Sequence, residues 1–174
     1  MAHRTIRRTL IAAVVALTPL LISTIGPAPQ SATAAPSTES YIAANVLYRM
    51  NAERHAHGLA PLQMYGPLVT SATRHNRVMA DYNTLSHQLP GEQSLGARVS
   101  ATGFHWISLG ENIAWNGAMN LSGALAAQTM MYDEAPPNDI HRLNILNPNF
   151  NKVGVAVELD TVRHKLWLTE DFGR

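Results

Sequence analysis

The stretch SLGENIAWN, Ser108 to Asn116, sets a glutamate inside an otherwise apolar run. A carboxylate there is costly to bury unless something pairs with it, so Glu111 needs a partner. The common catalytic strings are absent: there is no G-x-S-x-G, no H-E-x-x-H, no glycine-rich phosphate loop and no cysteine. The chemistry left to the chain is that of imidazole and carboxylate. Two histidines stand apart, because each sits among turn-forming residues with carboxylates in reach: His87 in Ser86-His87-Gln88, and His141 in PPNDIHRLNILNPNF. Glu134 lies seven residues before His141. The other histidines have plainer readings. His55 and His57 end a helix, where an imidazolium suits the dipole. His105 adjoins Trp106 in a loop, His164 opens a strand, and His75 on a helix face reads as a satisfied core histidine.

These residues need elements to position them. Ile42, Val46, Leu47 and Met50 repeat at helical spacing after a short polar linker, and Gly58 supplies a stop. Pro67 suits a first helical position, and Leu68, Ala72, His75 and Met79 then share a face until about Asp81. A short helix runs from Ser94 to Ala101, ended by Gly103. A fourth follows Leu121, Leu125, Gln128 and Met131 up to Pro136-Pro137. In the second loop Asn138 or Asp139 can cap a short helix that Ile145, Leu146 and Phe150 anchor to the core, turning His141 inward. Strand signals cluster at the end: Val153, Val155 and Val157 alternate with Gly154, Ala156 and Glu158, and Leu166 and Leu168 lie across from Trp167. Helices followed by a hairpin predict an α+β fold, a sheet held between helical layers.

With 174 residues, 46% hydrophobic and 14% charged, the composition is that of one folded domain. The start reads as an export signal: Arg4, Arg7 and Arg8, an apolar run from Leu10 to Ile25 broken by Pro19, then Ala32-Thr33-Ala34. We divide the chain into a signal peptide at 1–34, a linker at 35–40 and a domain at 41–174. The Arg7-Arg8 pair is a weak twin-arginine hint, and the Sec route is the expected one. Cleavage leaves ten Lys or Arg against twelve Asp or Glu, so the formal charge moves from +1 to −2. No basic stripe with interleaved aromatics remains for a nucleic acid. Without cysteine, neither disulfides nor a lipoprotein anchor is available, and no stable membrane anchor is expected after cleavage.

Taken in order, YRMNAERHAHGLAPLQ, SATRHNRVMADYNTLSH, GENIAW, MMYDEAPPNDIHRLNILNPNF, VGVAVEL and WLTEDFG resemble the bacterial branch of the CAP superfamily, the SCP-like extracellular domains. The resemblance spans about Tyr41 to Gly173. It implies a three-layer α-β-α sandwich with a central, largely antiparallel sheet and a cleft holding two histidines and two glutamates. Matched motif by motif, these are His87 in LSH, Glu111 in GEN, Glu134 in MMYDE and His141 in HRLNIL. Two neutral imidazoles, His87 and His141, can hold a divalent metal such as Zn²⁺, with water completing the shell and the carboxylates orienting rings or water. Without metal, imidazolium and carboxylate pair instead. The chain departs from related bacterial sequences in having Leu85 where an aromatic is usual, Ile140 where Gly is, and Met131 where Trp often stands. These changes reshape the cleft wall more than the four polar groups.

A shared scaffold does not fix a ligand. The leading expectation is a secreted binding domain, non-enzymatic or at most weakly catalytic, whose metal-capable cleft receives a small apolar, lipid-like, peptide or envelope-derived ligand. One alternative is a zinc-assisted extracellular hydrolase with Glu111 or Glu134 as general base. The other is an envelope or stress interaction protein in which the four residues are structural.

Overall fold

The computed structural model describes Met1 and residues 37–174; the expected export signal and its cleavage site lie outside the described residues. Helix α1, Thr38–Ala56, begins where Ser37 Oγ accepts the Ser40 N–H at 3.2 Å, so residues 38–40, expected as linker, form its first turn. It lays Ile42, Val46 and Met50 into the core and ends before Gly58, whose φ of +69 turns the chain. Strand β1, Gln63–Met64, is two residues long, and Tyr65 then leads into α2, Gly66–Tyr82, with proline in its first turn. Helix α2 stops at Asn83, which adopts a left-handed conformation at φ 51.

Helix α3, Leu95–Ser100, matches the expected short segment ahead of Gly103. Strand β2, Leu109–Asn116, follows. Its alternation is masked because Ile113, Ala114 and Trp115 are apolar in succession, with Ile113 and Ala114 buried on opposite faces and Trp115 exposed. Helix α4, Leu121–Tyr132, is capped by Asn120 Oδ1 on the Gly123 N–H at 3.0 Å. It ends two residues before Glu134, which therefore sits in the turn rather than on the helix. Helix α5, Ile140–Ile145, starts after Asp139, whose side chain makes no cap bond. The hairpin strands are β3, Lys152–Asp160, and β4, Lys165–Gly173. His164 lies in the turn between them at φ 54 rather than within a strand.

The sheet order is β1-β3-β4-β2. The β2–β4 and β3–β4 pairs are antiparallel and the short β1–β3 pair is parallel, so the sheet is mixed, though largely antiparallel as expected. One face carries Val153, Val155, Val157, Leu166 and Leu168 against α1 and α4, the main core. The other carries Ile113 and Trp167 against Met79 and Ala80 of α2. The result is the α-β-α sandwich. Gly154 allows its closest seam: a Cβ there would lie 2.1 Å from the Leu68 carbonyl carbon, so α2 rests directly on β3. Among the described residues no helix is long and apolar enough to cross a membrane.

Candidate functional site

Strand β2 turns Glu111 toward the α2 layer, across the ladder from Asp171 of β4. Only 7% of Glu111 is exposed, and both its oxygens are engaged. Oε1 accepts from His87 Nδ1 at 2.9 Å, Oε2 accepts from Arg98 Nη2 of α3, and His75 Nε2 stands 3.8 Å from Oε2. Arg98 Nη1 also donates to the His87 carbonyl at 3.1 Å, so a single guanidinium fixes both the loop that carries His87 and the carboxylate it meets. Glu92 pins that loop further, accepting from His75 Nδ1 at 2.7 Å and from the Leu89 N–H at 3.2 Å.

The second pair forms in the α4–α5 connection. His141 Nδ1 donates to Glu134 Oε1, and the His141 N–H donates to Glu134 Oε2 at 3.0 Å, so the carboxylate both holds the ring and caps the start of α5. Arg142 bonds the Tyr132 carbonyl and lies 4.5 Å over that tyrosine's ring, closing the turn. Asparagines tie α5 to β2. Asn112 Nδ2 donates to the His141 carbonyl at 3.1 Å, and Asn144 Nδ2 donates to Asn112 Oδ1 at 2.9 Å and to the Glu111 carbonyl at 3.3 Å. Gly110 makes room, since a Cβ would meet Asn144 Oδ1 at 2.8 Å.

The structure thus brings His87 to Glu111 and His141 to Glu134, and anchors both pairs to the outer strand β2. In each, Nδ1 faces a carboxylate while Nε2 makes no hydrogen bond among the described residues. That is the arrangement in which a carboxylate sets the tautomer and orients imidazole Nε2 toward a metal. Each ring on its own thus offers an imidazole nitrogen to a ligand. Among the described residues no cluster of three or more His, Cys, Asp or Glu side chains is placed to hold a metal ion.

Burial alone would raise Glu111, but the hydrogen bond from His87 and the charges of Arg98 and His75 outweigh it and hold the carboxyl below its ordinary value. Asp171 goes the other way: burial and then the neighbouring Glu111 charge push it well up, and neither of its oxygens has a hydrogen-bond partner among the described residues. A neutral Asp171 beside an ionised Glu111 avoids two adjacent buried negative charges. On the opposite face Glu170 is raised to about 8 by burial, only partly offset by the Asn112 amide and reinforced by Glu53.

Sequence reasoning misses Arg98, Glu92 and Asp171, and reads His75 only as a core residue. His75 is fully buried, as expected, yet it also bridges Glu92 to the neighbourhood of Glu111. No local signal marks Arg98, because its ion pair is made by tertiary packing of α3.

The cysteine-rich secretory protein (CAP) family model matches residues 47–172. The uncharacterized protein YkwD of Bacillus subtilis (strain 168) is 37% identical over 124 residues, covering 71% of this chain and 45% of that protein. Among solved structures, an extracellular protein containing an SCP domain from Bacillus anthracis str. Ames superposes with a TM-score of 0.66 at 26% identity, over 81% of this chain and 45% of that one. An outer surface protein from Borrelia burgdorferi shares the fold, with a TM-score of 0.65 at 16% identity over 77% of this chain and 92% of its own. The chain spans less than half the length of the two Bacillus proteins.

Proposed function

Because the chain belongs to the cysteine-rich secretory protein family, we propose that it is an exported binding protein. In this reading the His87/His141 cleft holds a divalent metal such as Zn²⁺ and receives a small apolar, peptide or envelope-derived ligand. The observation that supports it is the matched pair of imidazoles, each with Nδ1 tied to a carboxylate and Nε2 left open. The exposed Leu85 and Ile140, beside the two histidines in sequence, give the rim an apolar character suited to such a ligand. The extracellular and outer-surface relatives favour export.

A hydrolase is less well served by the same geometry. Its general base must be free to take a proton from water. Glu111 is held by Arg98 and His87, with its carboxyl below the ordinary range, which makes it a weak base, and Glu134 already accepts two N–H groups of His141. These contacts orient imidazoles better than they activate water.

Native mass spectrometry of the protein recovered from culture medium tests the reading. It is expected to show an N-terminus at Ala35 or Pro36 and one bound divalent metal, lost when His87 and His141 are both replaced by alanine. A product that retains Met1 contradicts export. A product without metal even after equilibration with zinc contradicts the metal site.

A further inference from the structure

The sheet has a second open edge, on the side away from β2. Strand β1 pairs with β3 only at Lys152 and Val153, because the chain turns into α2 at Gly66 and leaves the sheet. Tyr65 N–H donates to the Val153 carbonyl at 2.9 Å, and the Val155 N–H points to Met64 Sδ at 3.5 Å. Odd-numbered residues of β3 therefore turn their main-chain groups to this edge. Beyond Met64 the Val155 C=O and the N–H and C=O of Val157 have no strand or side-chain partner among the described residues. They floor a cleft of about 710 Å³, walled by Ala43, Ala44 and Leu47 of α1 on one side and by α2 on the other, with Glu39 and Glu158 at the end away from Met64.

We propose that this cleft binds an extended peptide segment of another polypeptide as an added strand, parallel to β3. The floor selects the class of ligand. One peptide residue opposite Ala156 satisfies two of the three orphan groups, its N–H on the Val155 C=O and its C=O on the Val157 N–H, which continues the ladder that Tyr65 and Val153 begin. The residue two positions on reaches the Val157 C=O. A fatty chain would cover these groups without pairing them, which is unfavourable for each buried group. A second copy is excluded sterically as a strand-to-strand partner, since its own β3 edge is recessed between the same two helices. The helix walls accept small and apolar side chains, and Glu39 with Glu158 favours a basic residue toward the peptide's C-terminal end. Arg77 meets Glu158 only loosely, at 3.9 Å, and leaves Glu39 to such a cation. This site is independent of the His/Glu cleft, which lies on the other edge strand.

The test uses the full chain and an acetylated, amidated hexapeptide of alternating threonine and valine with lysine at its fifth position. A twin peptide carries N-methyl groups on the alternate residues that face β3. Binding is followed by fluorescence anisotropy and by hydrogen exchange at the Val157 amide. The hexapeptide is expected to bind and to slow exchange at Val157. The N-methylated twin, Ala44→Trp, which fills the cleft from an exposed helix position, and Val157→Pro, which removes the edge donor without touching the β3–β4 ladder, should each weaken it about tenfold or more. The variant His87→Ala should bind the peptide unchanged, so failure of the metal site and failure of this one are separately visible. No binding up to about millimolar peptide, equal binding of the methylated twin, or palmitate displacing the hexapeptide would each overturn the proposal. A Val157 amide already protected in the free protein would do the same, since the edge would then be occupied by the chain itself.

Discussion

Glu111 is pulled toward neutrality by burial and toward ionisation by its partners, and Arg98 is the fixed charge among those partners. Removing the carboxylate leaves a guanidinium 7% exposed with only Glu92, 3.8 Å from its Nε, as counter-charge, which is more damaging than losing a surface ion pair. Glu111→Ala is therefore expected to lower the unfolding free energy by about 3–5 kcal/mol in chemical denaturation, and Glu111→Gln by less, while the exposed His55→Ala stays within about 0.5 kcal/mol. Equal small effects would mean that the buried network carries no stability. Glu170 gives a signed pH effect. Its folded value of about 8 lies above the ordinary 4.5, so the native state holds a proton that the unfolded chain releases, and stability falls as pH rises between those values. Glu170→Gln keeps the amide-sized side chain without the charge. It should stabilise the protein at pH 7 by up to about 3 kcal/mol and flatten that slope, as read from denaturation midpoints across the range. Glu111 contributes with the opposite sign: its stabilisation is present above the ordinary carboxylate range and is lost as pH falls through its lowered value.

At the scale of elements, the helices and the β3–β4 hairpin are legible in the sequence because amphipathic periodicity and punctuation agree. Ile42, Val46 and Met50 mark α1, Gly58 ends it, and Val153, Val155 and Val157 alternate in β3. Strand β2 is hidden because apolar residues lie on both its faces, and β1 because two residues carry no periodicity. The four site residues are reached through motif resemblance, not through spacing, since nothing local announces that a loop at His87 will meet a strand at Glu111. Arg98, 13 positions from Glu111, escapes for the same reason: the ion pair is made by tertiary packing of α3. Packing at this scale also yields a prediction at Gly154. Alanine there would collide with the backbone of Leu68 and Val69 at 2.1 and 2.3 Å, where no side chain can give way. Gly154→Ala should push α2 off the sheet and cost at least about 3 kcal/mol in denaturation, with a loss of near-ultraviolet circular dichroism around Trp167. An unperturbed midpoint would show that the α2–β3 seam is looser than described.

Across the whole molecule, the sandwich presents two different edges of one sheet. The β2 edge gathers imidazoles and carboxylates drawn from α2, the loop at His87, the α4–α5 turn and α5, and the β3 edge floors a cleft between two helices. The proposed metal site would belong to the fold rather than to any one segment, and its two histidines are held by contacts that do not need a metal. The apo protein should consequently stay folded, and affinity should be modest beside a closed four-ligand site. Metal binding needs neutral imidazole, so acidification should weaken it. The direct test is a calorimetric zinc titration of the folded protein and of its His87→Ala and His141→Ala variants at about pH 7.5 and about pH 5.5. The account predicts one site at the higher pH, at least about tenfold weaker binding in either variant, and a marked loss at the lower pH. Undiminished binding in both single variants, or no binding by the unsubstituted protein, would contradict it.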